Sequence, residues 1–442
     1  MNALMTRRHP LLLSSAVAGA LGLVLAATAC GDSDQRPNFE PPPDAGHDGN
    51  VVDSGAPEDA AADARPPFEP ADQPVTCAVE PCAVELAAGA SHVCARMSDG
   101  TARCWGEGMM GELGAGEADG GEIPGPGPLT VLGLEDVTQI SAAGRTTCAR
   151  LADGKALCWG ANEEGQLGLA VDPPNVDDLP HYAPEPVDVT GSVTRVDVGP
   201  RTVCALLASG DVWCWGANER LQLGRTTDER VAGPGLLPAG GLPATRIGLG
   251  RHSSFALTGL GALVGWGKVS GREGSLDPDP VPFALPGLTD VTGIATGPDH
   301  TCAIAGAVVH CWGRNHQGAL CSGLPDDSRL PLPTSTVGSA YPQRLAVSYG
   351  NTCVRMTDGS IQCCGDDSAG QLGTGTISGS TARFTAASVF EHEAIQVVVT
   401  DRATCALVRD GSVECWGSNS RGELGQRTRD DAVHLTPLRV DF

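Results

Sequence analysis

Seventeen cysteines punctuate a chain of 442 residues, and most are spaced as pairs: Cys94 with Cys104, Cys148 with Cys158, Cys204 with Cys214, Cys302 with Cys311, Cys353 with Cys363, and Cys405 with Cys415. A thiol can ligate a metal, attack as a nucleophile or be oxidised to a disulfide. Zinc sites set their ligands about two to four residues apart, so a gap of nine or ten speaks against metal. Between the two members of a pair runs a short connection containing glycine, such as Ala152-Asp153-Gly154 or Arg409-Asp410-Gly411. A hairpin folded about such a turn sets the two cysteines opposite each other at a non-hydrogen-bonded position. Their Cα atoms then lie within roughly 4.5 Å, and a bridge can close. The fifth repeat has a two-residue loop, Gly306-Ala307, and Cys302 still lands opposite Cys311. In the fourth, both positions change together, to Phe255 and Gly265. Cross-strand disulfides are therefore expected, each contributing about 2 to 3 kcal/mol; the alternative is that the cysteines are small buried hydrophobes. Of the others, Cys77 and Cys82 are near enough to bridge each other, and Cys321 with Cys364 could link neighbouring repeats, pairings that spacing alone leaves open.

Other residues able to do chemistry are few. His92 and His300 each stand two positions before a paired cysteine, which points to a structural hydrogen bond. Asp172, Asp177 and Asp178 could offer oxygens to Ca²⁺, although their spacing matches no known loop and a solvated loop is the simpler reading. The chain has no P-loop, no Gly-x-Ser-x-Gly, no His-Glu-x-x-His and no paired-carboxylate motif. A protein without catalysis, cofactor or metal is expected.

The elements that position these cysteines recur seven times. Trp105, Trp159, Trp215, Trp266, Trp312, Cys364 in place of a tryptophan, and Trp416 mark a period of about fifty residues, the range of propellers and solenoids. Each unit contains short apolar runs bounded by Gly and Asp, which read as strands. Cysteine and tryptophan are adjacent on the third run and so face opposite sides of the sheet. Both faces need cover, as when sheets stand radially like blades, and the tryptophans are expected between blades. A strand such as 185–189 or 280–285 precedes the interior repeats, whereas the first repeat opens at Ala83 without one. Residues 437–442 then read as the missing strand, pairing with the N-terminal blade to close the ring.

Ahead of the repeats, residues 1–29 carry Arg7, Arg8, an apolar stretch and a small run ending at Ala29, the pattern of an export signal. Cys30 follows, and the junction resembles the lipobox of bacterial lipoproteins, in which that thiol carries lipid. Simple cleavage and secretion is the alternative. Residues 30–76 are rich in Pro, Asp and Ala and form an expected disordered tether. The net charge is −24, and the tether accounts for only part of it. An acidic folded surface disfavours nucleic acid.

The motif Gly-x-x-His-x-Cys-Ala, then Gly-x-x-x-Cys-Trp-Gly-x-Asn-x-x-Gly-Gln-Leu-Gly, resembles the regulator of chromosome condensation (RCC1) repeat, over residues 77–442. The resemblance implies an all-β fold, a seven-bladed β-propeller of four-stranded antiparallel blades. Departures are Gly265 and Lys268-Val269 in the fourth repeat, Leu221 in place of a glycine in the third, and Cys364 in place of Trp. Face loops are where such a scaffold carries function, and the stretches 115–129, 169–184, 226–242 and 322–341 read as its long inserts. The expected role is a monomeric, lipid-anchored binding scaffold of the cell envelope that meets a protein or glycan. The alternative implied by the family is inhibition of an exported enzyme such as a β-lactamase. A nucleotide-exchange role fits an exported chain poorly.

Overall fold

The computed structural model describes residues 74–117, 127–169, 176–226, 230–238, 242–269 and 277–442. The export signal, Cys30, most of the tether and Asp172 lie outside the described residues. Those described form seven four-stranded antiparallel sheets with strands in chain order. Blade 1 comprises Ala83–Ala88, His92–Met97, Ala102–Gly106 and Leu129–Thr130. The others span 137–186, 193–236, 244–284, 291–334, 342–386 and 394–439. First strands contact one another around the ring, with Ala83–Ala88 against Ala394–Val399, so this is a seven-bladed β-propeller with its first strands innermost.

The strand phase differs from the sequence reading. Asp177–Pro186 pairs with Ala156–Asn162, and Asp279–Ala284 with Leu263–Gly267, so each is the outer strand of the preceding blade. The C-terminal strand Val433–Arg439 likewise pairs with Val413–Ser418 of its own blade. No strand crosses from the C terminus into blade 1, whose fourth strand is Leu129–Thr130. The ring closes through side chains and turns instead. Gln396 donates to Leu86 O at 2.7 Å and accepts from Leu86 N at 2.9 Å, and Phe442 meets Trp105 edge-on at 5.7 Å. The stretches read as loops, 169–184, 226–242 and 322–341, accordingly contain outer strands, and 115–129 ends on one.

Within each blade the second and third strands form the hairpin anticipated from the glycines. Gly100, Gly154 and Gly411 sit at φ of 82°, 83° and 82°, where a Cβ would be strained. Six cysteine pairs face each other across these hairpins, bonded with Cα atoms 4.1 Å apart. Cys77–Cys82 and Cys321–Cys364 are also bonded. In blade 4 the Phe255 ring fills the bridge's place, 3.0 Å from where a Cβ on Gly265 would be.

The apolar core is divided among the seven blade interfaces, one cluster each. Six tryptophans, all but Trp213, are fully buried there. Their indole N–H groups form a recurrent latch. Trp159 donates to Glu112 O of the preceding blade at 2.8 Å, Trp215 to Gln166 O at 2.9 Å, Trp266 to Gln222 O at 2.9 Å, Trp416 to Gln371 O at 3.0 Å, and Trp105 to Glu423 O at 2.9 Å. The accepting carbonyl belongs to the middle of Gly-x-Leu-Gly. A Cβ on its last glycine would meet the indole, at 2.7 Å for Gly168 and 2.8 Å for Gly373. Between blades 5 and 6 both partners change: Cys321 replaces that glycine, Cys364 replaces the tryptophan, and a disulfide takes over the latch.

Glu112 carries the latch carbonyl of blade 1 on a buried acidic residue. Burial, opposed by hydrogen bonds including one from Met110 N at 2.8 Å, pushes its pKa up to about 7. An acid whose folded pKa exceeds its unfolded value supports folding at low pH, and that support is lost as pH rises through 7. Glu112→Gln, which restores the commoner residue of the motif, is expected to gain about 3 kcal/mol at pH 8 and almost nothing at pH 4.5. Urea midpoints at the two pH values measure this; an equal gain at both contradicts it.

Candidate functional site

Antiparallel connectivity puts the turns between strands 1 and 2, and the links between strands 3 and 4, on one face of the ring. The hairpin turns and blade-to-blade links lie on the other. The chain enters on the hairpin face, where Thr76 N and Ala78 N donate to Arg409 O and Asp410 O at 2.8 and 3.0 Å. The opposite face surrounds the mouth of the axis, a hollow of about 350 Å³.

The strand 1–2 turns set the charges around this mouth. Blades 2, 3 and 4 contribute Arg145, Arg201 and Arg251, while blades 6 and 7 contribute Tyr349 and Asp401. Arg145 lies 3.6 Å from Glu163. Arg201 bonds Glu164 and reaches Glu219 at 2.6 Å. Arg251 makes no ion pair among the described residues. The Asp401 carboxyl is pushed up by burial and accepts from Tyr349 N at 3.3 Å. Tyr349 itself is exposed and stacks on His316 at 4.8 Å.

Beneath the mouth, the third residue of most first strands is polar: Glu85, Gln139, Arg195, Arg246, Arg344 and Gln396. Gln139 and Gln396 spend their amides on the main chain of the next blade. The arginines face one another. Enclosure first, then the Arg195 charge, hold Arg246 down to about 10, with Arg344 adding to the effect and Asp197 and Glu85 opposing it. Arg195 is bound by Asp197 at 2.8 Å. An axis rich in guanidinium groups inside an acidic protein can take up anionic groups by charge-assisted hydrogen bonds.

The residues singled out in the sequence fall mostly in the scaffold. His92 and His300 bond Thr147 and Thr352 of the following blade, each at 2.8 Å from Nε2. Asp177 accepts from Asn162 and Leu179 N and contacts His181, while Asp178 is exposed, so the two do not converge. No group of three or more His, Cys, Asp or Glu able to hold a metal occurs among the described residues. The mouth and axial arginines were missed. Their signals were an arginine recurring in the turns between first and second strands, and a polar or charged residue recurring at the third position of the first strands.

Comparison with known proteins agrees with the fold. Models of the regulator of chromosome condensation (RCC1) repeat match residues 83–111, 137–166, 193–222 and 394–423, and a second model of the same repeat matches 153–206 and 209–257. The chain is 26% identical to the Ultraviolet-B receptor UVR8 of Arabidopsis thaliana over 77% of this chain and 78% of that protein. It is 28% identical to the human E3 ubiquitin-protein ligase HERC2 over 62% of this chain, but only 6% of that protein. Among solved structures, yeast RCC1 (Prp20) bound to Kap60 superposes with a TM-score of 0.64 at 18% identity, covering 84% of this chain and 86% of that one.

Proposed function

The chain belongs to the regulator of chromosome condensation (RCC1) repeat family, and from that premise we propose that it is a non-catalytic binding scaffold of the bacterial cell envelope. In this reading residues 1–29 direct export, Cys30 carries the lipid, and 30–76 form the tether. The propeller meets a protein partner at the mouth of its axis. One observation carries the reading: Thr76 and Ala78, ahead of the first strand, are held on the hairpin face, and the charged mouth lies on the opposite face of the propeller. Eight disulfides suit an oxidising compartment. Protein binding is also what is described for one similar propeller, yeast RCC1 (Prp20), solved with Kap60 and described by its binding to Gsp1p and histones.

Cross-linking on intact cells followed by mass spectrometry tests it. The wild type should capture a reproducible protein partner. Arg145→Glu with Tyr349→Ala, both at the mouth, should cut its recovery at least about tenfold, the effect of losing 1 to 2 kcal/mol at an interface. Asp358→Lys, on the hairpin face, should leave it unchanged. Equal capture by all three proteins overturns the reading, and capture of glycans alone replaces the partner class.

A further inference from the structure

In four blades the main-chain N–H of the first strand's fourth residue is accepted by a side chain of the preceding blade. Gln396 Oε1 takes Leu86 N at 2.9 Å, Glu85 Oε2 takes Ile140 N at 3.3 Å, Gln139 Oε1 takes Val196 N at 2.9 Å, and Asp197 Oδ2 takes Ile247 N at 3.0 Å. Blades 5, 6 and 7 keep the register, since Ile294, Leu345 and Val397 face Ala303, Val354 and Ala406 as Leu86 faces Ala95. Their N–H groups therefore point the same way. The matching side chains are Arg246, Gly293 and Arg344, two cations and a bare glycine. None of the three N–H groups has a side-chain acceptor among the described residues.

Between blades 5 and 6 the acceptor's place has room. Among the described residues, which cover blades 5 to 7 without a break, a Cβ on Gly293 would meet only Ile304 Cδ1 within 4 Å, at 3.6 Å. Arg246 and Arg344 hold the position of Gly293 on the two adjoining blades. Neither forms an ion pair or hydrogen bond among the described residues, and Arg246 is open to solvent although the Arg195 and Arg344 charges press on it. The acids of the axis are already engaged: Glu85 holds Arg96 at 3.0 Å, and Asp197 holds Arg195 at 2.8 Å. An oxyanion here would meet a main-chain N–H where Gln and Glu oxygens stand in other blades. Two guanidinium groups would add charge-assisted bonds and lose their mutual repulsion.

We propose that the axis binds a small inorganic oxyanion of the phosphate or sulfate class beside Gly293, with one oxygen on Leu345 N and the others on the guanidinium groups of Arg246 and Arg344. The site lies deeper than the mouth and needs no partner protein. Calorimetric titration of the intact protein with sodium phosphate, and separately with sodium sulfate, tests it at an ionic strength held constant with chloride. Saturable binding of one anion is expected. Gly293→Gln supplies the side chain that blades 2 and 7 carry and should abolish the binding. Because it restores the missing acceptor, its urea midpoint without added phosphate should match or exceed that of the wild type. Arg344→Gln should weaken binding at least about tenfold, as for the loss of a hydrogen bond from a charged group. No saturable binding of either anion, or unchanged binding in either folded variant, overturns the proposal. A response that chloride alone reproduces overturns it as well, since screening would then suffice.

Discussion

Replacing Cys321 and Cys364 together with alanine is expected to lower stability by about 4 kcal/mol, against about 3 kcal/mol for Cys94 with Cys104. The loop-entropy relation gives the order, because the first bridge closes 43 residues and the second 10. The first also joins two blades, whereas the second staples a hairpin already paired by its ladder. A converse substitution sharpens the test. Cys321→Gly with Cys364→Trp rebuilds the latch used elsewhere, returning an indole N–H to the carbonyl of Ala319, and should recover at least about 1 kcal/mol over the alanines. Urea denaturation read by tryptophan fluorescence measures all three. Equal losses for the two bridges, or no recovery with Gly and Trp, would refute the account.

Acidification supplies the second large effect. His92 and His300 are buried, and burial holds both down to about 4, far below the ordinary value of 6.5. Thr352 Oγ1 donates to Ala319 O at 2.7 Å, so it accepts from His300 Nε2, which therefore carries the proton of a neutral ring. Unfolding releases each imidazole to its ordinary pKa. Below about 6.5 the unfolded chain takes up protons that the folded one refuses, and stability falls until pH 4. Each histidine should lose about 3 kcal/mol across that window. Glu112 runs the other way, gaining as pH falls from 7, so the total for the wild type is smaller. Comparison with His92→Asn/His300→Asn isolates the effect: the gap between the two proteins should shift by about 6 kcal/mol between pH 7 and pH 4. A constant gap would mean that the imidazoles are not held neutral by burial.

The repeat, the hairpins and the facing cysteines were legible because each is written locally, in a turn glycine and two residues at fixed distance from it. Outer strands were not. Asp177–Pro186 contains three prolines and Val231–Leu236 contains two glycines and a proline, compositions that read as loop. An edge strand tolerates them because one side of its ladder faces solvent. That misreading shifted the strand phase and created the expectation of a strand exchanged between the termini. The latch was partly visible. The loss of tryptophan at position 364 coincides with the loss of glycine at 321, a paired change that signals contact between successive repeats.

The closing seam also determines how a mechanical load would travel. The entering chain is tied by Thr76 and Ala78 to the last blade's hairpin, and the Cys77–Cys82 bridge anchors it just before the first strand. A pull on the N terminus therefore arrives at the final blade and shears short backbone contacts at the junction, sparing the ladder of blade 1. Force applied to the chain at Thr76 would break these contacts with the last blade before it reached the sheet of blade 1.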